Sequence, residues 1–330
     1  MTDSVSVEPV KIELVSGFLG AGKTTFINKL LAEGLGGPDT VLVENEFGDV
    51  SIDDSLLESG DMEMRTLSSG CICCTLRTGF IDCLKEIVAT YHPARIIIEP
   101  TGMAAPEDLL EISDQTAKLV PIKTDAIFSI IDARNVERLV PLNIPAFDAH
   151  FHSARFIVLS HAQELEASRL EAVRKLLAEK SPGTPVVAEN WDDVDALELL
   201  VRAEEAYAKR PYSPSGKVSA APADDHGHHH GEGEEHHHHE VDGIASHSFM
   251  PQAPFAASDI DALTDLLESE DAGLVLRAKG FLRGSDDAMR LYEYVYGNVD
   301  MQSTSYDGPM KFVVIGKELD ADALNTALHA

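Results

Sequence analysis

The sequence is 330 residues long, which exceeds one average domain and favours a large domain accompanied by a smaller one. Its 44% of hydrophobic residues allow a sizeable core. The formal net charge of −30 argues against a nucleic-acid partner, because counterion-release binding needs a basic surface. No apolar run approaches the ~20 residues needed to span a membrane, and the N-terminus lacks a signal-peptide pattern. We therefore expect a cytoplasmic protein with no membrane partner.

The first part of the chain, residues 1–205, alternates short apolar runs with helical patterns. The apolar runs are residues 12–16, 41–43, 95–98, 126–131, 156–159 and 186–188. The helical patterns are residues 24–33, 78–90 and 165–180. Runs that are continuously apolar are typical of parallel strands covered on both faces. Strand–helix–strand repetition predicts an α/β domain with a doubly wound, mostly parallel sheet.

Residues 206–243 are rich in Pro, Ser, Gly, His and acidic residues, which predicts a disordered linker. Imidazole suits Zn²⁺, Ni²⁺, Cu²⁺ and Co²⁺, so the linker histidines are auxiliary metal-ligand candidates. These candidates are His228, His229, His230, His236, His237, His238 and His239. Ordering a flexible segment has an entropic cost, so we expect modest affinity. The alternatives are passive low-complexity sequence or an engineered tag.

Folding signals resume in residues 244–330. Strands are predicted at residues 244–249, 273–281 and 311–315, and helices at residues 257–268 and 321–328. These elements predict a small α+β C-terminal domain. Its apolar and aromatic residues are interpreted as core.

A phosphate-binding loop is predicted at residues 17–24, where GFLGAGKT fits the pattern GxxxxGK[ST] between an apolar strand and a helical stretch. Glycines let successive backbone N–H groups point at phosphate oxygens, at the positively polarised start of a helix. Lys23 should reach the β- and γ-phosphates, and the Thr24 hydroxyl should bind Mg²⁺. The motif predicts a P-loop NTPase. Its nucleotide-binding candidates are Gly17, Gly20, Ala21, Gly22, Lys23, Thr24 and Thr25.

A second Mg²⁺ ligand is expected at the end of a neighbouring strand. Glu99 follows the apolar run at 95–98 and can hold Mg²⁺ directly or through water. Gly102 offers a backbone N–H that can approach the γ-phosphate closely. Asp132 ends the next strand and is less certain, because it would equally serve as a helix cap. Lys23, Thr24 and Glu99 are therefore the catalytic candidates.

Cys71, Cys73 and Cys74 form a CxCC cluster, a spacing that suits a metal or redox site better than a disulfide framework. Thiolates are soft ligands that favour Zn²⁺ and Cu(I) over Mg²⁺. Three thiolates would leave one coordination position open, as metal transfer requires. Zinc is the first expectation, and ligand type alone also admits Co²⁺, Ni²⁺ and Fe²⁺. Reduced structural cysteines and a redox switch are the alternatives; Cys83 is interpreted as core.

The segments GFLGAGKTT, ENEFGDVSIDDSLL, SSGCICCTLR, EPTG and SIIDA occur in this order, and the chain thereby resembles the CobW-like P-loop GTPases. The segments SFMPQAPF, LRAKGFLR and KFVVIGKELD resemble that family's C-terminal domain. The resemblance implies a GTP-hydrolysing metallochaperone that binds GTP and a client metalloprotein. A nucleotide-dependent homodimer, in which the chain binds a second copy of itself, is a further expected partner. The resemblance also implies that a glutamate after the second strand, here Glu44, contributes to the metal site.

One departure from the family concerns the nucleotide base. Family members usually carry Asn-Lys-x-Asp after the fifth strand, whereas residues 160–163 read SHAQ. Ser160 and Gln163 can hydrogen-bond a base, but neither supplies the carboxylate that makes guanine discrimination strong. GTP remains the first expectation, with ATP or relaxed specificity as the alternative.

Chain order suggests how hydrolysis could control the metal, because the CxCC segment lies between the P-loop and Glu99. We hypothesise that the triphosphate form holds the metal tightly and the diphosphate form releases it. The alternatives are an accessory protein that inserts cobalt or iron into an enzyme or corrinoid cofactor, and a metal buffer with a vestigial P-loop.

Overall fold

The structure, a computed structural model, describes residues 8–44, 63–66, 77–213 and 243–329. Seven strands form the larger of two sheets. They are β1 (Val10–Gly17), β2 (Thr40–Glu44), β3 (Glu63–Thr66), β4 (Arg95–Glu99), β5 (Ile122–Asp132), β6 (Phe156–Ser160) and β7 (Val186–Val187). The strand order is β3-β2-β4-β1-β5-β6-β7, and each neighbouring pair is parallel. The predicted α/β class is confirmed, and the described strands of this sheet are all parallel rather than mostly so.

Helices cover both faces of this sheet. They are α1 (Lys23–Leu30), α2 (Arg77–Tyr91), α3 (Pro106–Thr116), α4 (Val136–Leu139), α5 (Pro145–His152), α6 (Ala167–Lys180) and α7 (Ala196–Lys209). In β4, Ile97 packs in the cluster that contains α1 and α7, whereas Ile96 and Ile98 pack in the cluster with α2 and α3. Alternate residues of one strand therefore face opposite layers, which explains the continuous apolar runs.

The smaller sheet is antiparallel, with the order β11-β10-β9-β12-β8. Its strands are β8 (Ile244–Phe249), β9 (Leu274–Arg283), β10 (Met289–Val295), β11 (Asn298–Ser303) and β12 (Lys311–Lys317). Helices α8 (Ala257–Glu268) and α9 (Ala321–Ala327) cover one face. The other face packs against the larger domain, where Phe281 and Leu291 share a cluster with Phe18 and Leu19 of the P-loop. The predicted α+β character is confirmed.

Several described elements were absent from the sequence prediction. The edge strand β3 reads EMRT and carries no apolar pattern. Helices α3 and α5 begin with Pro106 and Pro145, which suit the first turn of a helix but are easily taken for loop signals. Strands β10 and β11 were also missed, because the turn that joins them at Tyr296 and Gly297 lacks the usual Asn-Gly or Asp-Gly signal. Helix α7 runs to Lys209, past the predicted start of the linker at residue 206. The division into residues 1–205, 206–243 and 244–330 stays a proposal.

A charge network ties α7 to the centre of the larger sheet. Oxygens of Glu13, Asp125 and Glu204 lie within 4.8 Å of one another. The Lys11 ammonium contacts Asp125 at 2.8 Å and Glu204 at 2.7 Å, and the Arg95 guanidinium contacts Glu13 at 2.7 Å. Burial raises the pKa of Glu13 to about 7. Because protein cations already contact these carboxylates, we interpret the cluster as structural. Among the described residues, no helix is long and apolar enough to cross a membrane.

Candidate nucleotide site

The loop between β1 and α1 and the first residues of α1 line a cavity. Gly20 and Gly22 have φ angles of 67° and 96°, a left-handed conformation that favours glycine. The Ala21 backbone N–H donates to the Phe18 carbonyl at 3.2 Å, which curls the loop. No side chain caps α1, and the first-turn N–H groups of a helix are suited to binding an anion. The loop therefore has the backbone geometry of a phosphate site.

Two predicted catalytic side chains meet beside this loop. The Thr24 hydroxyl lies 3.1 Å and 3.3 Å from the two carboxylate oxygens of Glu99, the last residue of β4. A hydroxyl and a carboxylate this close form an oxygen donor pair that suits Mg²⁺. The buried Lys23 ammonium donates to the Phe18 carbonyl at 3.3 Å and so lies over the loop. The structure brings the three residues to one edge of the sheet.

Close backbone approaches explain two of the predicted glycines. A β-carbon on Gly17 would lie 2.5 Å from the Ile130 carbonyl oxygen, so β1 and β5 require a glycine there. A β-carbon on Gly102 would lie 2.5 Å from the Leu19 nitrogen and 2.8 Å from the Phe18 carbonyl carbon. The segment after Glu99 thus packs directly against the P-loop. Gly17 acts through packing at the end of β1, whereas Gly102 lines the cavity described below.

A buried histidine, His150, contacts both the end of β1 and the segment after β4. The His150 Nε2 lies 3.2 Å from the Gly102 carbonyl, and its Nδ1 lies 3.3 Å from the Ser16 hydroxyl. Because a carbonyl can only accept, Nε2 carries the proton and Nδ1 accepts from Ser16. Burial lowers the pKa of His150 to about 4, and the nearby Lys23 charge adds to that effect. Neutral His150 therefore links Ser16 of β1 to Gly102, in the segment after β4.

We expect acid to weaken this link. A folded-state pKa of about 4 against the ordinary 6.5 means that the unfolded chain binds more protons between these values, so stability falls as pH decreases through that window. Chemical denaturation at pH 6.5 and pH 4 should show the wild type losing about 3 kcal/mol more unfolding free energy than His150→Gln. His152→Gln, on an exposed position of the same helix, is the control and should follow the wild type. Parallel curves for wild type and His150→Gln would contradict the assignment.

The P-loop lines a cavity of about 710 Å³, within the range of small-molecule sites. The loop contributes Leu19, Gly20, Ala21, Gly22, Lys23, Thr24 and Thr25. Glu44, Glu99 and Gly102 lie on the same side. The inner face of the C-terminal sheet also lines it, including Arg277, Lys279 and Val295. The cavity therefore lies between the two domains, which the sequence did not predict.

The wall that follows β6 differs from the sequence expectation. Ser160 is buried and Gln163 is exposed, and neither lines the cavity. The lining residues there are His161, Glu164 and Arg134. The His161 Nδ1 lies 2.6 Å from one Glu164 oxygen, and the Arg134 guanidinium lies 3.5 Å from the other. The hydrogen bond from His161 lowers the pKa of Glu164, so an ionised carboxylate borders the cavity.

Asp132, the less certain candidate, is a local structural residue. Its Oδ1 accepts from the Arg134 backbone N–H at 2.9 Å, and its Oδ2 accepts from the Arg134 guanidinium at 3.0 Å. The Asn135 side-chain amide donates to Oδ2 at 3.1 Å. These bonds organise the turn after β5, but Asp132 does not cap α4, whose N-cap residue is Asn135 and which has no side-chain cap.

The predicted transition-metal ligands are only partly described. Glu44 is buried at the end of β2, where it is paired in register with Glu99 of β4 and Thr66 of β3. Cys83 packs beside a core cluster, in agreement with its interpretation as core. The other predicted ligands lie outside the described residues: Cys71, Cys73, Cys74, His228, His229, His230, His236, His237, His238 and His239.

Two family models match this chain, one over each domain. The family model described as CobW/HypB/UreG, nucleotide-binding domain, matches residues 11–188, more than half of the chain. The chain belongs to this family. The model described as cobalamin synthesis protein cobW C-terminal domain matches residues 244–330. The CobW resemblance of the sequence motifs is therefore confirmed.

Individual CobW-family relatives match both domains. Zinc chaperone CobW of Pseudomonas aeruginosa is 28% identical over 359 residues, covering 96% of this chain and 91% of the relative. Zinc-regulated GTPase metalloprotein activator 1 of Saccharomyces cerevisiae is 24% identical, covering 99% of this chain and 85% of the relative. The crystal structure of Zn(II)-bound YjiA GTPase from E. coli matches with 23% identity and a TM-score of 0.46, covering 97% of this chain and 98% of that one.

Proposed function

We propose that this protein is a cytoplasmic GTP-hydrolysing metallochaperone that binds Zn²⁺ through Cys71, Cys73 and Cys74 and transfers it to a client protein under nucleotide control. The observation that carries the proposal is the meeting of three strand ends. Lys23 and Thr24 follow β1, Glu44 ends β2 and Glu99 ends β4, and all four side chains line one cavity. The names of the matched relatives, zinc chaperone and zinc-regulated GTPase metalloprotein activator, support the choice of metal and nucleotide.

Hydrolysis is assigned to the P-loop side of the cavity. Thr24 and Glu99 would hold Mg²⁺, which when bound neutralises charge that develops on the phosphates. Lys23 places an ammonium over the same loop, and the first turn of α1 supplies backbone N–H groups. The Gly102 backbone is held against Leu19, close to where a γ-phosphate would lie. These groups position and stabilise the triphosphate.

The metal-binding half of the proposal depends on where the thiol segment is anchored. Residues 67–76 connect the carboxyl end of β3 to the start of α2. Thr66 is in register with Glu44, which in turn is in register with Glu99. The segment that carries the three thiols therefore starts from the sheet edge that also carries the Mg²⁺ ligands. Glu44, on the strand between these two, is a candidate fourth zinc ligand and a link between the sites.

Base recognition is assigned to the wall after β6. Glu164 supplies there the carboxylate that residues 160–163 lack, and a carboxylate can accept from the guanine N1–H and N2 amine. Ser160 and Gln163 are retained as secondary candidates that would need a rearrangement to reach a base. The linker histidines are proposed as an auxiliary metal-collecting arm, and a nucleotide-dependent homodimer remains part of the proposal.

Zinc competition titration in the presence of nucleotide tests the metal site. We expect the non-hydrolysable GTP analogue to raise zinc affinity at least about tenfold over GDP, a coupling free energy of about 1.4 kcal/mol. Cys73→Ser should remove this tight site, whereas Cys83→Ser, which changes a partly buried cysteine of α2, should retain it. Equal zinc affinity in the two nucleotide states would refute nucleotide control. Tighter binding of Co²⁺ or Fe²⁺ than of Zn²⁺ would instead favour a metal-insertion accessory protein.

A further inference from the structure

A tight turn of the C-terminal domain touches the larger domain next to the P-loop. Val295 of β10 and Asn298 of β11 are paired in register, so Tyr296 and Gly297 form a two-residue turn. Their φ angles are 36° and 84°, and positive φ at both central positions is typical of a type I′ hairpin turn. A tyrosine in this region is disfavoured by about 1–2 kcal/mol, so surrounding contacts must hold it. We call residues 295–298 the docking turn.

Arg138 of α4 holds the docking turn from one side. Its guanidinium donates to the Tyr296 carbonyl at 3.1 Å and lies 4.9 Å from the centre of the Tyr296 ring. A β-carbon on Gly297 would lie 2.7 Å from the same guanidinium, so a side chain at that position would displace Arg138. The strained backbone thus coincides with a specific contact between domains.

Asn135 holds the turn from the other side. It is fully buried, and its amide donates to the Val295 carbonyl at 3.3 Å and to Asp132 at 3.1 Å. The Asn298 amide donates back to the Asn135 side-chain oxygen at 2.8 Å. These bonds connect the turn to the end of β5, which is a neighbour of β1 and its P-loop.

Val295 itself lies against the phosphate loop. A β-carbon on Gly20 would be 2.3 Å from one Val295 methyl group and 2.9 Å from the other. Gly20 therefore serves a second purpose besides backbone conformation, because it makes room for the C-terminal domain. A movement of the P-loop on nucleotide binding would therefore displace Val295 and with it the docking turn.

The docked sheet also brings cations to the cavity. Arg277 and Lys279 of β9 line it, together with the acidic residues Glu293 and Asp300 of the same sheet. Lys279 is buried and pairs with Glu293 at 3.0 Å, and Arg277 is half-buried. In a chain of net charge −30, a polyphosphate is repelled by the global field and depends on local cations. A guanidinium presents a planar fork of donors that matches phosphate oxygens.

We propose that the C-terminal sheet completes the nucleotide site: Arg277 binds the phosphates of the nucleotide held by the P-loop, and the docking turn fixes the sheet in that position. This inference rests on the proposed function, since it assigns further residues to the same nucleotide. The C-terminal domain then acts as a wall of the site, and nucleotide occupancy stabilises its docked position.

The test is titration of a fluorescent, non-hydrolysable GTP analogue into the full chain with Mg²⁺. Arg277→Ala should weaken binding about tenfold, which corresponds to about 1.4 kcal/mol. Arg290→Ala is the matched control, because Arg290 lies on β10 of the same sheet, pairs with exposed Asp286 and does not line the cavity. It should bind within about twofold of wild type. Arg138→Ala, which leaves the cavity lining unchanged, should weaken binding at least about threefold by loosening the docking turn.

The outcomes separate this inference from the proposed function. Absence of nucleotide binding by the wild type would contradict the proposed function itself. Binding by the wild type that Lys23→Ala abolishes, but that Arg277→Ala and Arg138→Ala leave unchanged, would overturn the inference alone. If Arg277→Ala does not fold, as judged by circular dichroism, Arg277→Gln carries the same expectation, since it removes the charge while keeping a longer, polar side chain than alanine.

Discussion

Lys23→Ala should lower the turnover of nucleoside triphosphate at least about a hundredfold, because removing a preorganised donor from a transition-state site typically costs that much. Lys23 is the first residue of α1, its side chain is buried, and its ammonium already lies 3.3 Å from the Phe18 carbonyl of the loop. The cation is thus held in place before the ligand arrives. Phosphate release under saturating Mg²⁺ and GTP is the measurement.

The matched control for this change is Lys29→Ala on the same helix. Lys29 forms an ion pair with Glu33 and does not line the cavity. We expect its turnover to remain within about twofold of wild type, since a surface ion pair contributes little. Near-normal turnover by Lys23→Ala, together with normal folding, would mean that hydrolysis does not occur at this loop.

Gly102→Ala should have an effect of similar size for a steric reason. The added carbon would lie 2.5 Å, 2.8 Å and 2.9 Å from backbone atoms of Leu19 and Phe18, which cannot yield as a flexible side chain would. Either the P-loop or the segment after Glu99 must move, and displacements of about 1 Å at a reacting centre can reduce rates about a hundredfold. We expect turnover to fall by about that factor while the far-ultraviolet circular dichroism spectrum is kept.

Gly183→Ala separates this steric effect from a general cost of replacing glycine. Gly183 lies between α6 and β7 with a φ of 75°, and no atom lies within 4 Å of an added β-carbon. Alanine there should cost roughly 1 kcal/mol of stability through its backbone conformation, with turnover unchanged. Equal turnover in both alanine variants would argue against close packing of Gly102 on the P-loop.

The larger sheet was largely predictable because its central strands are buried on both faces. Runs such as the one at 96–98 are apolar without interruption, and the GxxxxGKT motif locates the loop between β1 and α1. The edge strand β3 escaped prediction because EMRT offers no apolar period. The hairpin of β10 and β11 escaped because its turn uses Tyr296, whereas Asn or Asp followed by Gly is the usual signal.

The candidate site was predictable where the residues are local in sequence. Lys23, Thr24 and Glu99 line the cavity as the motifs suggested. The sequence did not predict Arg134, His161 and Glu164 as lining residues. The conformation of the turn after β6 decides which side chains face the cavity, and it places these three there instead of Ser160 and Gln163. Arg277 was missed for a different reason. It is distant in sequence, and only the packing of one domain on the other brings it to the cavity that the P-loop lines.

Calorimetric titration of the intact chain with Mg²⁺ and non-hydrolysable analogues of GTP and ATP tests most directly whether this cavity is a guanine nucleotide site. We predict one bound nucleotide per chain and at least about tenfold tighter binding of the GTP analogue, with Glu164→Gln reducing that preference. A tenfold preference for the ATP analogue, or no binding of either, would contradict the assignment.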